Sequence, residues 1–250
     1  MGIEQIILIG FILFTGSLIQ SAIGFAYTLF ALPLVVWTGM GFSNSVAIVA
    51  VSNFVQVVVG AYQLREAINW KLTWKASFIR YLALPLGILT LMTVDTWSQS
   101  EIKAVLGGLI LFILTVQTIW KVEPKDHLHP AWGWLSFASS GFLQGLASLG
   151  GPPIILWVMA QQWSNQSSRV FLFTLLLVST PFQVAMLYFN YGDELTQALL
   201  LGVLFSPLVA LGSALGVKVG NLIPKPRLRK ISFMVLVVVA VVSILSPLFD

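Results

Sequence analysis

Six apolar stretches divide this chain: residues 43–62, 76–94, 101–120, 168–189, 195–217 and 231–248. Each has about the 20 residues that a helix needs to cross a hydrocarbon core of about 30 Å. Inside lipid every backbone amide and carbonyl must find a protein partner, which leaves helices and closed barrels. Uninterrupted runs of this length predict helices. Only 9% of the 250 residues are charged and 58% are hydrophobic, against about 25% charged in soluble domains. A water-soluble globule is excluded, and the short connections leave no room for a soluble domain. Glu4, with no basic residue ahead of the first apolar run, argues against a cleaved signal peptide. Cysteine is absent, so there is no disulfide framework and no thiolate metal site.

Two further apolar units, 5–39 and 131–162, are too long for one ordinary helix and short for two full crossings. Gly24 interrupts the first. Gly150, Gly151, Pro152 and Pro153 interrupt the second. Proline removes a backbone donor and crowds the preceding turn, and glycine costs helix entropy. These four residues predict the end of one helix and the start of another, with the turn near 148–153.

Charge sets the topology, because Lys and Arg collect in cytoplasmic loops. Arg65, Lys71, Lys75, Lys121, Lys125, Arg169, Lys218, Lys225, Arg227, Arg229 and Lys230 all fall on one side of the predicted spans, with Arg80 snorkelling to that side. Lys103 alone among the basic residues falls opposite, with Glu4, Asp95, Glu101, Asp193, Glu194 and Asp250. The 121–130 loop and Arg169 are then both cytoplasmic, so unit 131–162 begins and ends on one side. Unit 5–39 ends outside, and Glu4 places its start there too.

The halves repeat at an offset of about 125 residues. "VSNFVQ" (51–56) matches "VSTPFQ" (178–183), Gln20 matches Gln144, and "LPLG" (84–87) loosely matches "SPLV" (206–209). The expected fold is an all-α polytopic membrane protein built of two inverted repeats. Each repeat is a broken or re-entrant helical hairpin followed by three transmembrane helices. The first occupies 1–122 and the second 131–250, with 123–130 as a cytoplasmic linker. Three spans per half make the second half inverted, the plan of many secondary transporters, whose sites lie where discontinuous helices meet near the midplane.

At these residues the sequence resembles the TauE/SafE family, the sulfite/organosulfonate exporters. The resemblance covers nearly the whole chain, and "GLASLGGPPI" (145–154) carries it best. The first half departs from the family's glycine-rich form, with one glycine in "SAIGFAYTLFALP" (21–33). The resemblance implies export of sulfite, sulfoacetate or a related small sulfur oxyanion across the cell (inner) membrane.

Such an anion needs donors and positive potential in a dry site. Helix N-termini offer both, and restarts after Gly24 and near Pro152 would aim two of them at one point. Gln20, Ser21, Asn53, Gln56, Gln144, Ser148, Thr180 and Gln183 are the candidate side-chain ligands, with Gly24, Gly150 and Gly151 as backbone ligands. The alternative for the polar side chains is interhelical bonding. Arg80 and Arg169 are candidates for drawing the anion to the cytoplasmic mouth.

No acidic residue sits in mid-span, so a carboxylate proton relay is not evident. Neither a nucleophile–base pair nor a metal triad is present, which argues against an intramembrane enzyme. No metal, cofactor or nucleic-acid partner is expected. His127 and His129 lie in a loop without a further ligand set. The expected partners are the small anion and the bilayer. Glycines spaced GxxxG (Gly141/Gly145; Gly212/Gly216/Gly220) usually mark close helix packing, and such faces permit a homodimer. The functional alternative to a carrier is a channel-like permease for another small anion or solute.

Overall fold

The structure, a computed structural model, describes residues 2–23, 26–119, 124, 128–222 and 225–246. Gly24, Lys121, Lys125 and His127 lie outside the described residues. The described residues form eleven α-helices joined by short connections. They are α1 (Ile3–Ile23), α2 (Tyr27–Trp37), α3 (Phe42–Gln63), α4 (Trp70–Val94), α5 (Gln99–Ile119), α6 (Pro130–Ala147), α7 (Gly151–Met159), α8 (Asn165–Tyr191), α9 (Thr196–Leu204), α10 (Ser206–Leu222) and α11 (Lys225–Leu245). Five helical stretches are long and apolar enough to cross a membrane.

Helix starts follow their capping chemistry. Asn69 and Ser164 accept from the amides of Leu72 and Ser167 and open α4 and α8. Ser98 and Glu101 cap each other reciprocally at the head of α5. Asp95, just past α4, accepts from the Ser43 amide and ties the end of α4 to the start of α3. The Gln5 amide group donates to the Thr38 carbonyl at 3.0 Å, so the start of α1 meets the end of α2.

Three predicted boundaries are corrected, the first being 231–248, whose helix α11 already begins at Lys225 because Lys and Arg are good helix formers. The run 195–217 is not one helix: it breaks at Phe205, between α9 and α10, ahead of Ser206 and Pro207. Proline disfavours helical backbone in the residue before it and clashes with the turn behind. The 76–94 span begins earlier, at Trp70. Asn69 caps it and the amphipathic stems of Trp70, Lys71, Trp74 and Lys75 extend it, although these residues lower its local hydropathy.

Two helix pairs dominate the packing, α4 with α6 and α1 with α10. Both run parallel. Cβ atoms added at Gly141 and Gly145 would strike the carbonyl oxygens of Arg80 and Leu84, and one at Gly87 would strike that of Phe142. Likewise Gly212 and Gly216 face the carbonyls of Phe14 and Leu18. Lipid tails supply no hydrophobic drive between helices, so close backbone approach over small residues holds such pairs. The contact of α5 with α11 uses Gly107, whose added Cβ would lie 2.5 Å from the Ala240 carbonyl oxygen. Its neighbour Gly108 meets nothing within 4 Å. Gly107→Ala should therefore lower the thermal unfolding midpoint, and Gly108→Ala should hold or raise it, since alanine gains about 1 kcal/mol of helix propensity. Equal behaviour of the two variants in a thermal melt would contradict this packing.

Candidate functional site: two helix breaks and a buried guanidinium

Each broken unit has one left-handed residue beside its break: Ala26 opens α2, and Ser148 closes α6. Residues 24–26 separate α1 from α2, with Ala26 at φ 101°, and residues 148–150 separate α6 from α7, with Ser148 at φ 54°. Left-handed backbone costs an ordinary residue roughly 1–2 kcal/mol, so each turn needs support from its surroundings. In both units the first limb is long and the second short. By helix rise, α1 and α6 measure about 31 and 27 Å and α2 and α7 about 16 and 14 Å.

A glutamine braces each break from the following span. Gln56 on α3 donates to the Ser21 hydroxyl at 2.5 Å and the Ser17 carbonyl at 3.4 Å. Gln183 on α8 donates to the Ser148 hydroxyl and the Gln144 carbonyl, both at 2.7 Å. The sequence separations, 35 and 39 residues, are the same in the two halves. This scheme pairs Ser21 with Ser148, Gln56 with Gln183, and Ser17 with Gln144. The expected match of Gln20 to Gln144 is thus corrected by three positions, close to one helical turn. Aligning like residues favoured the two glutamines, whereas the bonding register is set by the spans behind them.

Gln20 has a different task. Its Oε1 accepts from the Tyr27 amide at 3.0 Å and caps the start of α2, while its Nε2 contacts Asn53 Oδ1 at 3.4 Å. The Tyr27 hydroxyl shares a 2.7 Å bond with Ser52. Around Gln56, Ser21 and Ser213 complete a neutral cluster, joined by a 2.7 Å bond between the serines.

The second break is more deeply buried and includes a charge. Gln144 donates to Gln183 Oε1 at 3.1 Å and accepts from Ser179 at 3.2 Å. Ser140 donates to the Gly150 carbonyl, folding the turn back along α6. Thr180 is buried on α8, while Gly151, half-buried, opens α7. Phe137, Trp157, Trp163 and Phe171 stack with ring centroids 4.9 to 6.1 Å apart, pinning α7 to α6 and α8.

Arg80 does not snorkel. Its side chain is 0% exposed. Helix α4 starts at Trp70 and Arg80 lies about 15 Å along it, packed inside the protein. None of its three guanidinium nitrogens has a hydrogen-bond partner. The Cβ position of Gly150 lies 3.0 Å from Arg80 Nη2 and 2.9 Å from Gln144 Oε1. The Ser77 hydroxyl, three residues earlier on the same helix, is also fully buried and unpartnered. Sequence reading passed over Ser77; its spacing of three from Arg80 was the available signal. Arg169 is exposed near the start of α8 and takes no part in this cluster. Ser21, Asn53 and Gln56 gather at the first break and Ser148, Gly150, Gly151 and Gln183 at the second. A surface cleft lined by Tyr62, Arg65, Glu66 and Gln166 includes no residue of either break.

The chain matches the model of the family described as Sulfite exporter TauE/SafE over residues 7–243. Comparisons with curated proteins and with solved structures give no match.

Proposed function

The chain belongs to the TauE/SafE sulfite exporter family, and on that premise we propose that it exports sulfite or an organosulfonate such as sulfoacetate by alternating access. Family membership implies a membrane exporter of sulfur-containing anions, a multi-pass transporter and not an enzyme. The finer reading is that two inverted halves place their helix breaks on either side of one anion near the midplane. Gln20, Ser21, Asn53 and Gln56 line it from one half, and Gln144, Ser148, Gly150, Gly151, Thr180 and Gln183 from the other.

The observation that carries this reading is the repeated brace, Gln56 on its break and Gln183 on its own, at identical separations. The parallel pairs α1–α10 and α4–α6 add support, since each joins a broken unit of one half to a span of the other. A fold that exchanges elements symmetrically can rock one bundle against the other around a fixed site. The charge distribution, with basic residues on one side, supports the opposite orientation of the halves.

The test is flux in proteoliposomes. Purified protein should show saturable, counterflow-competent movement of sulfite or sulfoacetate, and acetate should compete poorly. Unitary conductance in a planar bilayer would replace the carrier with a channel-like permease. Absence of sulfur-anion flux under both conditions would remove the substrate assignment.

A further inference from the structure

We infer that Arg80, with Ser77 and the uncapped start of α7, is the oxyanion-binding group of this exporter, and that it selects a headgroup carrying a single negative charge. The inference rests on the exporter reading and adds the residue that reads the charge.

A guanidinium holds its charge in any protein environment and carries five N–H donors in a planar fork. Taking it out of water costs several kcal/mol unless a counter-charge and hydrogen bonds replace the solvent. Here both are missing: Arg80 is fully buried and its three nitrogens are unpartnered. No carboxylate is buried among the described residues, so these offer Arg80 no internal counter-ion. The neighbouring dipole raises the demand. Helix α7 starts at Gly151, directly after the glycine whose Cβ position touches Arg80 Nη2, and a helix start is positive.

The amides at that start are few. Pro152 and Pro153 have no N–H, leaving Gly151 and Ile154 among the first four positions. Backbone donors alone would hold an anion poorly, and the guanidinium supplies what the prolines withhold. The glutamines are committed elsewhere, Gln144 to Gln183 and Ser179, and Gln183 to Gln144 and Ser148. They frame the site, and Arg80 and Ser77 bring its free donors. One fixed positive charge balances one negative charge. A sulfonate or hydrogen sulfite headgroup presents several coplanar pairs of oxygens to the fork and fits this count.

The experiment compares wild type with Arg80→Gln, Arg80→Lys and Ser77→Ala in detergent, using methanesulfonate and sulfite as probes and uncharged dimethyl sulfone as the control. Wild type should be thermally stabilised by methanesulfonate, by sulfite at mildly acidic pH where it is hydrogen sulfite, and not by the sulfone. Arg80→Gln should lose at least about 30-fold in anion affinity, as expected when one partner of a buried charge pair is removed. Arg80→Lys should recover part of it, and Ser77→Ala should fall between. Without ligand, Arg80→Gln should melt no lower than wild type, because it removes an uncompensated charge. Equal anion stabilisation of wild type and Arg80→Gln would overturn the inference while leaving export intact. Failure of Arg80→Gln to fold would also overturn it, since the guanidinium would then have a protein partner. If wild type neither binds nor moves any of these anions, the exporter reading fails first.

Discussion

Gln144→Glu should yield a protein that melts higher than wild type and no longer moves the anion. The Gln144 Oε1 atom and Arg80 Nη2 lie within 3.0 Å of the same point, the Cβ position of Gly150. A carboxylate there meets a buried guanidinium that has no other partner. The substitution loses one donor bond to Gln183. Interhelical bonds in membranes average about 0.6 kcal/mol. Close buried charge pairs couple by about 1.5–7 kcal/mol. The ion pair therefore wins and the melting temperature rises. That same pair occupies the charge the substrate would use, so anion flux should drop by about a hundredfold, equivalent to about 2.7 kcal/mol. The paired measurement is a thermal melt and a proteoliposome flux on one preparation. A lower melt with flux preserved would show that the two groups do not meet.

Gly145→Val should leave little folded protein. At Gly145 the α4 and α6 backbones touch: an added Cβ falls on the Leu84 carbonyl and within 3.1 Å of Gly87 Cα. No side chain can rotate away, so the helices themselves must separate. Overpacking costs about 1–3 kcal/mol where side chains can yield, and more where they cannot. The affected pair is among the most extensive helix contacts in the chain and holds Arg80 against Gly141. The expected result is loss of the monodisperse peak on size-exclusion chromatography at wild-type expression. Gly108→Val, on an open face, should retain that peak. Retention by both variants would mean that α4 and α6 are not in backbone contact.

Much of the fold was legible because lipid enforces it. Apolar run lengths placed α3, α5 and α8 within a few residues, and the Gly-Gly-Pro-Pro run located the break before α7. The break at Phe205 was hidden, because Ser206-Pro207 lies in a run apolar enough to read as continuous. The candidate site was legible as composition rather than as bonding. Its serines and glutamines were visible. Which of them would satisfy one another depends on helix register, and one turn separates Gln20 from the position equivalent to Gln144. Arg80 was misjudged for a related reason. Its distance was counted from the end of an apolar run, whereas packing against Gly141 and Gly150, invisible in one dimension, buries it. The capped, tryptophan- and lysine-bearing first turns of α4 precede that run.

The buried guanidinium also makes the protein an electrical device. Arg80 is the one fully buried formal charge among the described residues, and it stays charged whether or not the site is filled. If the proposed alternating access holds, the field shifts across the fixed site as the bundles rock, so the empty site moves one positive charge relative to part of the membrane field and a site holding a monoanion moves none. A full crossing is worth about 2.3 kcal/mol per 100 mV. With the cytoplasm negative, the field draws the empty site inward, toward the side from which an exporter loads. On that proposal voltage acts on the resetting step and leaves the loaded step nearly untouched: net efflux would sense the potential, and one-for-one exchange would not.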